Sequence, residues 1–177
     1  MPDAPNFSDE ANVFLKQLMK ESDRGAALVG FAYVDTLLTR LFKAKMLPEK
    51  LTEELFEGFG PLATMAARIK VAYCLGWIGP ETHHDLNLLR KVRNEFAHAH
   101  APVTFSDASV QARCRELSAP KSVYSNWEFQ ARDQFLITAM VLSLRLEYQR
   151  NDSQAPVAGS DPPLIRLRVN PDEWKSA

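Results

Sequence analysis

The stretch Arg90-Lys91-Val92-Arg93-Asn94-Glu95-Phe96-Ala97-His98-Ala99-His100 concentrates the side chains of this chain best suited to chemistry. Each helical residue advances about 100°, so Asn94 shares a face with His98, and Arg90 with Asn94, while Arg93 and His98 lie roughly 140° apart. One helix therefore has difficulty turning Arg93 and His98 toward one small target. Two copies meeting across a dimer axis would bring an Arg and a His from different chains together in a positive cleft. His98 near a helix C-terminus has its protonated form favoured by the helix dipole, and imidazole exchanges protons near neutral pH. Such a cleft suits metal-independent RNA cleavage: a base deprotonates the 2′-hydroxyl, a general acid protonates the leaving oxygen, and Arg93 stabilises charge on phosphorus. The competing reading is structural. Arg93 then pairs with Asp35 or Glu95, Asn94 bonds neighbouring backbone, and His98 closes the helix end. A zinc site from His83, His84, His98 and His100 is disfavoured, because the two pairs fall at opposite ends of one helix. No metal and no cofactor is expected.

Whatever this segment does, a folded body must position it. At 177 residues with 46% hydrophobic composition, the chain fits one domain able to bury about 70% of its unfolded surface. Lys plus Arg (21) nearly cancels Asp plus Glu (22), and the pI is about 6.4. That balance lacks the basic surplus of a large phosphate-binding surface and argues against direct sequence-specific DNA binding. Cys74 and Cys114 stand far apart without C-x-x-C spacing, and read as small buried side chains in a reducing cytosol. The acidic, proline-containing start is not a signal peptide, and no uncharged apolar run spans a membrane, so the expected location is cytoplasmic.

Along the chain, Ser8 or Asp9 caps a short helix carrying Phe14 and Leu18. Ser22 or Asp23 opens a long central helix to about Met46, with Phe31, Val34, Leu38, Leu41 and Phe42 on its apolar face. Gly25 and Gly30 within it imply close approach of another helix. Asp35 beside the apolar stripe needs a cation, and an arginine from residues 90 to 100 would serve. Pro48 separates this helix from a short one over 49–56. Glu57-Gly58-Phe59-Gly60-Pro61 is a turn, Pro61 opens a helix to about Trp77 with Tyr73 on its apolar side, and Gly79-Pro80 leads into the helix bearing the candidate segment. In that helix Leu86, Leu89, Val92 and Phe96 recur at three- and four-residue steps. Ser106 caps a short helix to Leu117, residues 118–124 form a loop, and the Ser125-x-x-Glu128 capping box starts the last long helix, ending near Arg150. The class is all-α: a single-domain bundle of about six to seven helices over residues 8–150, with a Pro-rich, mostly irregular C-terminal tail over 151–177. Within the tail, Ile165, Leu167 and Val169 alternate with Arg166 and Arg168 and suggest either a tethered coil or a docked strand.

Several blocks in order, Asp23-Arg24-Gly25, Leu55-Phe56-Glu57-Gly58-Phe59-Gly60-Pro61-Leu62, Ala67-Arg68-Ile69-Lys70-Val71-Ala72-Tyr73 and Leu89 through His98, resemble the mannitol operon repressor family over about residues 8–150. The resemblance implies an all-helical fold and repression of a sugar-uptake operon without a helix-turn-helix of its own, hence through a partner protein. More distantly, Arg93, Asn94 and His98 resemble the R-x-x-x-x-H motif of HEPN superfamily nucleases, which implies a metal-independent endoribonuclease as the alternative, with RNA as its substrate. The leading expectation is a homodimeric transcriptional regulator. Arg24, Asp35, Arg68, Arg90 and Glu95 are read as a functional surface or structural polar groups, and Arg93, Asn94 and His98 as catalytic only under the nuclease reading.

Overall fold

Ser22 Oγ accepts the Gly25 amide at 3.1 Å and so starts the first long helix, α1 (Asp23–Lys45). The structure is a computed structural model that describes residues 14, 16–98, 101–123 and 129–152. After α1 come α2 (Lys50–Glu54), α3 (Met65–Cys74), α4 (Pro80–His98), α5 (Ala108–Glu116), α6 (Ala119–Val123) and α7 (Ala131–Asn151), with residues 16–19 also helical ahead of α1. All regular structure among the described residues is helical.

α1 packs most extensively on α7 and then on α4. Its Phe31, Val34, Leu38, Leu41 and Phe42 are buried, as the three- and four-residue spacing predicts. An 18-residue window of α1 reaches a mean hydropathy of 1.3, enough by length and composition to cross a membrane. Half of that window is buried inside the bundle, where α1 lies against α4 and α7. Gly30 is the point of close approach: a Cβ there would stand 3.3 Å from Leu18 and 3.4 Å from Phe135 of α7. Gly25 differs, because its near neighbour is the Glu21 side chain rather than another helix.

Several boundaries depart from the sequence expectations, each for a local reason. α3 starts at Met65, not at Pro61, because Leu62 N–H bonds back to Leu55 O at 2.9 Å and Thr64 Oγ1 accepts the Ala67 amide at 3.2 Å. It ends at Cys74, short of Trp77, in a Schellman motif: Gly76 takes φ +69°, its N–H bonds Tyr73 O, and Trp77 N–H bonds Ala72 O. Cys74 is exposed rather than buried. Tyr73 is also exposed, with its ring against that of His83 at 4.7 Å. Residues 119–123, expected as loop, are helical. α7 begins at Ala131 with Gln130 as N-cap, and Phe129 and Gln130 are not helical. A capping box over Ser125 and Glu128 therefore does not open α7; those two residues, like His100, the 164–169 tail segment and the cap at Ser8 or Asp9, lie outside the described residues.

Candidate functional site

α4 runs from Pro80, the favoured first-turn residue, to His98. Its buried stripe is Asp85, Leu89, Val92 and Phe96, with Leu86 and Leu88 beside it. Phe96 meets Phe105, which meets Phe135 of α7, at centroid distances of 4.9 and 5.4 Å. This packing fixes the rotation of α4 and hence the direction of its polar residues.

Arg93 is half-buried, with its guanidinium carbon 5.5 Å from the centroid of the Phe31 ring on α1. Its Nη1 donates to Asn94 Oδ1 at 3.3 Å. Neither Asp35 nor Glu95 pairs with it. Asp35 takes its cation from α3 instead: Arg68 Nη2 donates to Asp35 Oδ1 at 2.5 Å, and Nη1 donates to the carbonyls of Leu62 and Ala63 at 2.7 and 3.1 Å. Arg68 is only 6% exposed. Glu95 pairs with Arg113 of α5 and accepts the Ser109 hydroxyl at 2.8 Å. Asn94 accepts from a side chain, not from backbone. Arg90 is half-buried, and its Nε has no hydrogen-bond partner among the described residues. His98 is exposed at the end of α4, and no hydrogen bond links it to Arg93 or Asn94. Within one chain Arg93 and Asn94 are joined, and among the described residues His98 has no hydrogen bond to either. Arg24 is exposed and lines an apolar groove of about 510 Å³ with Phe96, Pro102 and Val103, at the His98 end of α4.

Three polar anchors were not singled out from sequence. Asp85 is fully buried and accepts the Ser118 amide at 2.8 Å and the Ala119 amide at 2.9 Å, which caps α6 from α4. Burial raises its carboxyl pKa, and the two amides pull it back in part. Asp85 stands four residues before Leu89, in phase with the apolar stripe, and that spacing was its signal. Arg132 of α7 donates to Asp23 Oδ1 at 2.6 Å and to the carbonyls of Met19 and Glu21 at 3.2 and 2.5 Å. Asp23 Oδ2 also accepts the Phe105 amide at 3.0 Å, so one carboxylate joins the starts of α1 and α7 to the 101–107 connection. Arg145 is 5% exposed and reaches Glu81 at 3.0 Å and Thr82 Oγ1 at 3.2 Å at the start of α4. It follows buried Leu142 by three residues, a helical spacing that also marked it.

Beside the Asp23 node, Phe105, Gln111, Arg115, Gln130 and Gln134 line a cleft of about 410 Å³. Cys114 is buried near Glu95, and its thiol pKa is pushed up to about 12, chiefly by desolvation. The α4 face thus carries two half-buried guanidinium groups, an amide and an exposed imidazole.

A family model described as mannitol repressor matches residues 28–153. The mannitol operon repressors of Escherichia coli K12 and of Escherichia coli O6:H1 strain CFT073 are each 27% identical over 109 residues, which covers 61% of this chain and 56% of each relative. The chain therefore spans about half the length of the curated relatives it matches. Among solved structures, that of the MtlR–HPr complex from Escherichia coli is similar in fold, with a TM-score of 0.65 at 18% identity over 78% of this chain and 99% of the other.

Proposed function

The chain belongs to the mannitol repressor family, and on that premise we propose that it is a negative regulator of transcription of a mannitol-type sugar operon, acting in the cytoplasm through a protein partner. The observation that carries the indirect mechanism is the fate of five of its arginines. Arg68 is bonded to Asp35, Arg113 to Glu95, Arg132 to Asp23 and Arg145 to Glu81, while Arg93 lies over Phe31. Binding a DNA backbone requires several cations free to replace condensed counterions. Here five arginines are engaged within the bundle, and the 21 Lys and Arg are offset by 22 Asp and Glu to a net charge of −1, so no basic surplus supports a large phosphate-binding surface. A protein of the HPr kind is the proposed partner, by analogy with the complex in which the structural relative was found.

The same reading takes the chain as a homodimer with the polar face of α4, Arg90, Arg93, Asn94 and His98, toward the contact. Fluorescence anisotropy of a labelled operator fragment tests the mechanism: the chain alone should bind weakly and without sequence preference. Sequence-specific binding by the chain alone overturns it. Sedimentation should give twice the monomer mass, and a clean monomer at micromolar concentration removes the dimer.

A further inference from the structure

The segment over residues 47–62 turns large apolar side chains into water. Leu47 is 71% exposed, Leu51 67%, and Phe59 fully so. The backbone that carries Phe59 is held in place. Phe59 sits between Gly58, at φ +53°, and Gly60, where a Cβ would fall 2.4 Å from Leu55 O. Both neighbours are thus positions that demand glycine. The turn is closed by Gly60 N–H to Glu57 O at 2.7 Å and by Leu62 N–H to Leu55 O at 2.9 Å. Immediately beyond it, the carbonyls of Leu62 and Ala63 are held by buried Arg68, which is bonded in turn to Asp35 of α1. A continuous set of hydrogen bonds therefore runs from the central helix to the turn that carries Phe59.

An aromatic side chain in water adds nothing to the fold, whereas a backbone already held in place loses little conformational entropy when its side chain docks. The surroundings specify what docks. Lys43 and Lys50 pair with Glu53 and Glu54, while Glu49 and Glu57 have no ion pair among the described residues. The exposed apolar residues of this segment are therefore interspersed with acidic ones that keep their charge. A second copy of this chain would bring like charges together across an isologous contact, so charge complementarity selects a different protein with an apolar patch flanked by basic side chains. We propose that Phe59, Leu51 and Leu47 form the docking surface for the regulatory protein partner, with Glu49 and Glu57 supplying its charge. This rests on the reading above that the chain acts through a protein of the HPr kind.

Calorimetric titration of the full chain with purified HPr of the same organism tests it, using wild type, Phe59→Ala, Leu51→Asp and Glu57→Lys, each with a melting curve. Wild type should bind, and Phe59→Ala and Leu51→Asp should each weaken binding by about tenfold or more. Glu57→Lys should also weaken it, with the loss shrinking as salt rises. Melting temperatures should hold, since these side chains lie outside the core; if Phe59→Ala fails to fold, the other two read the same surface. Wild-type binding retained by every folded variant overturns the surface and leaves the partner reading standing. Absence of wild-type binding overturns the partner reading and the surface with it. Conversion of a wild-type dimer to monomer by Leu51→Asp would assign the surface to a second copy and overturn the proposed occupant.

Discussion

Replacing Asp85 by Ala removes the acceptor of two amides while leaving α4 free to form, because Ala is the best helix former. Ala119 is fully buried, so water cannot replace the lost carboxylate there, whereas Ser118 is half-buried and can recruit water in part. An orphaned buried donor costs about 1–3 kcal/mol, which sets the loss at the Ala119 amide, with a smaller loss at Ser118. Against this, the variant relieves a desolvated carboxylate, whose raised pKa marks a penalty on its charged form. The net expectation is a destabilisation of about 1–3 kcal/mol. Urea unfolding should show it as a lower midpoint at unchanged slope. The pH dependence carries a distinct sign. A carboxyl whose folded pKa lies above its unfolded value binds more protons in the native state, so its contribution is full below the unfolded pKa and falls as pH rises through the folded one. The advantage of wild type over Asp85→Asn should therefore be larger near the unfolded carboxyl pKa, about 3.9, than at neutral pH. An Asp85→Ala variant as stable as wild type would refute the capping role, and an advantage that grows toward neutrality would show that the two amides outweigh burial at this carboxyl.

Other perturbations test separate parts of the structure. Arg132→Ala should destabilise by about 1–3 kcal/mol, since it strips charged donors from Asp23, Met19 O and Glu21 O; thermal melting measures it, and an unchanged midpoint would make the node ornamental. Thiol labelling of the native protein near pH 8 should modify exposed Cys74 and spare Cys114, whose thiol pKa is about 12, and the second label should enter only on unfolding. Purified chain should leave RNA intact in EDTA; cleavage that disappears in both Arg93→Ala and His98→Ala would reinstate the nuclease alternative.

The three long helices were legible in sequence because each carries its own signal: the 3.6-residue apolar period, Ser22 as a cap, and Pro80 at a first turn. What escaped was non-local. α6 has its start fixed by Asp85, far away in sequence, so the local pattern over 118–124 reads as loop. The partner of Asp35 was sought on α4, yet α3 delivers Arg68; which of two flanking helices reaches an acid depends on crossing geometry that periodicity does not encode. Within α4 the separation of Arg93 from His98 followed from their spacing. The engagement of Arg93 with Phe31 did not, since it depends on how α1 and α4 are rotated against each other.

The two residues that most resembled site chemistry away from α4, Asp35 and Arg68, acquire their meaning from what they hold. A half-exposed acid and a buried guanidinium could be replaced by apolar packing at little cost to stability. An apolar pair, however, would offer no donors to Leu62 O and Ala63 O, and the Phe59 turn would lose its tie to α1. Stability and geometry then separate experimentally. Arg68→Met preserves much of the side-chain volume and removes all the donors. If the pair serves only the core, the variant melts lower and nothing else changes. If it positions the turn, partner binding weakens further than the shift in melting temperature accounts for, and amide exchange rises at Gly60 and Leu62, whose N–H groups close the turn.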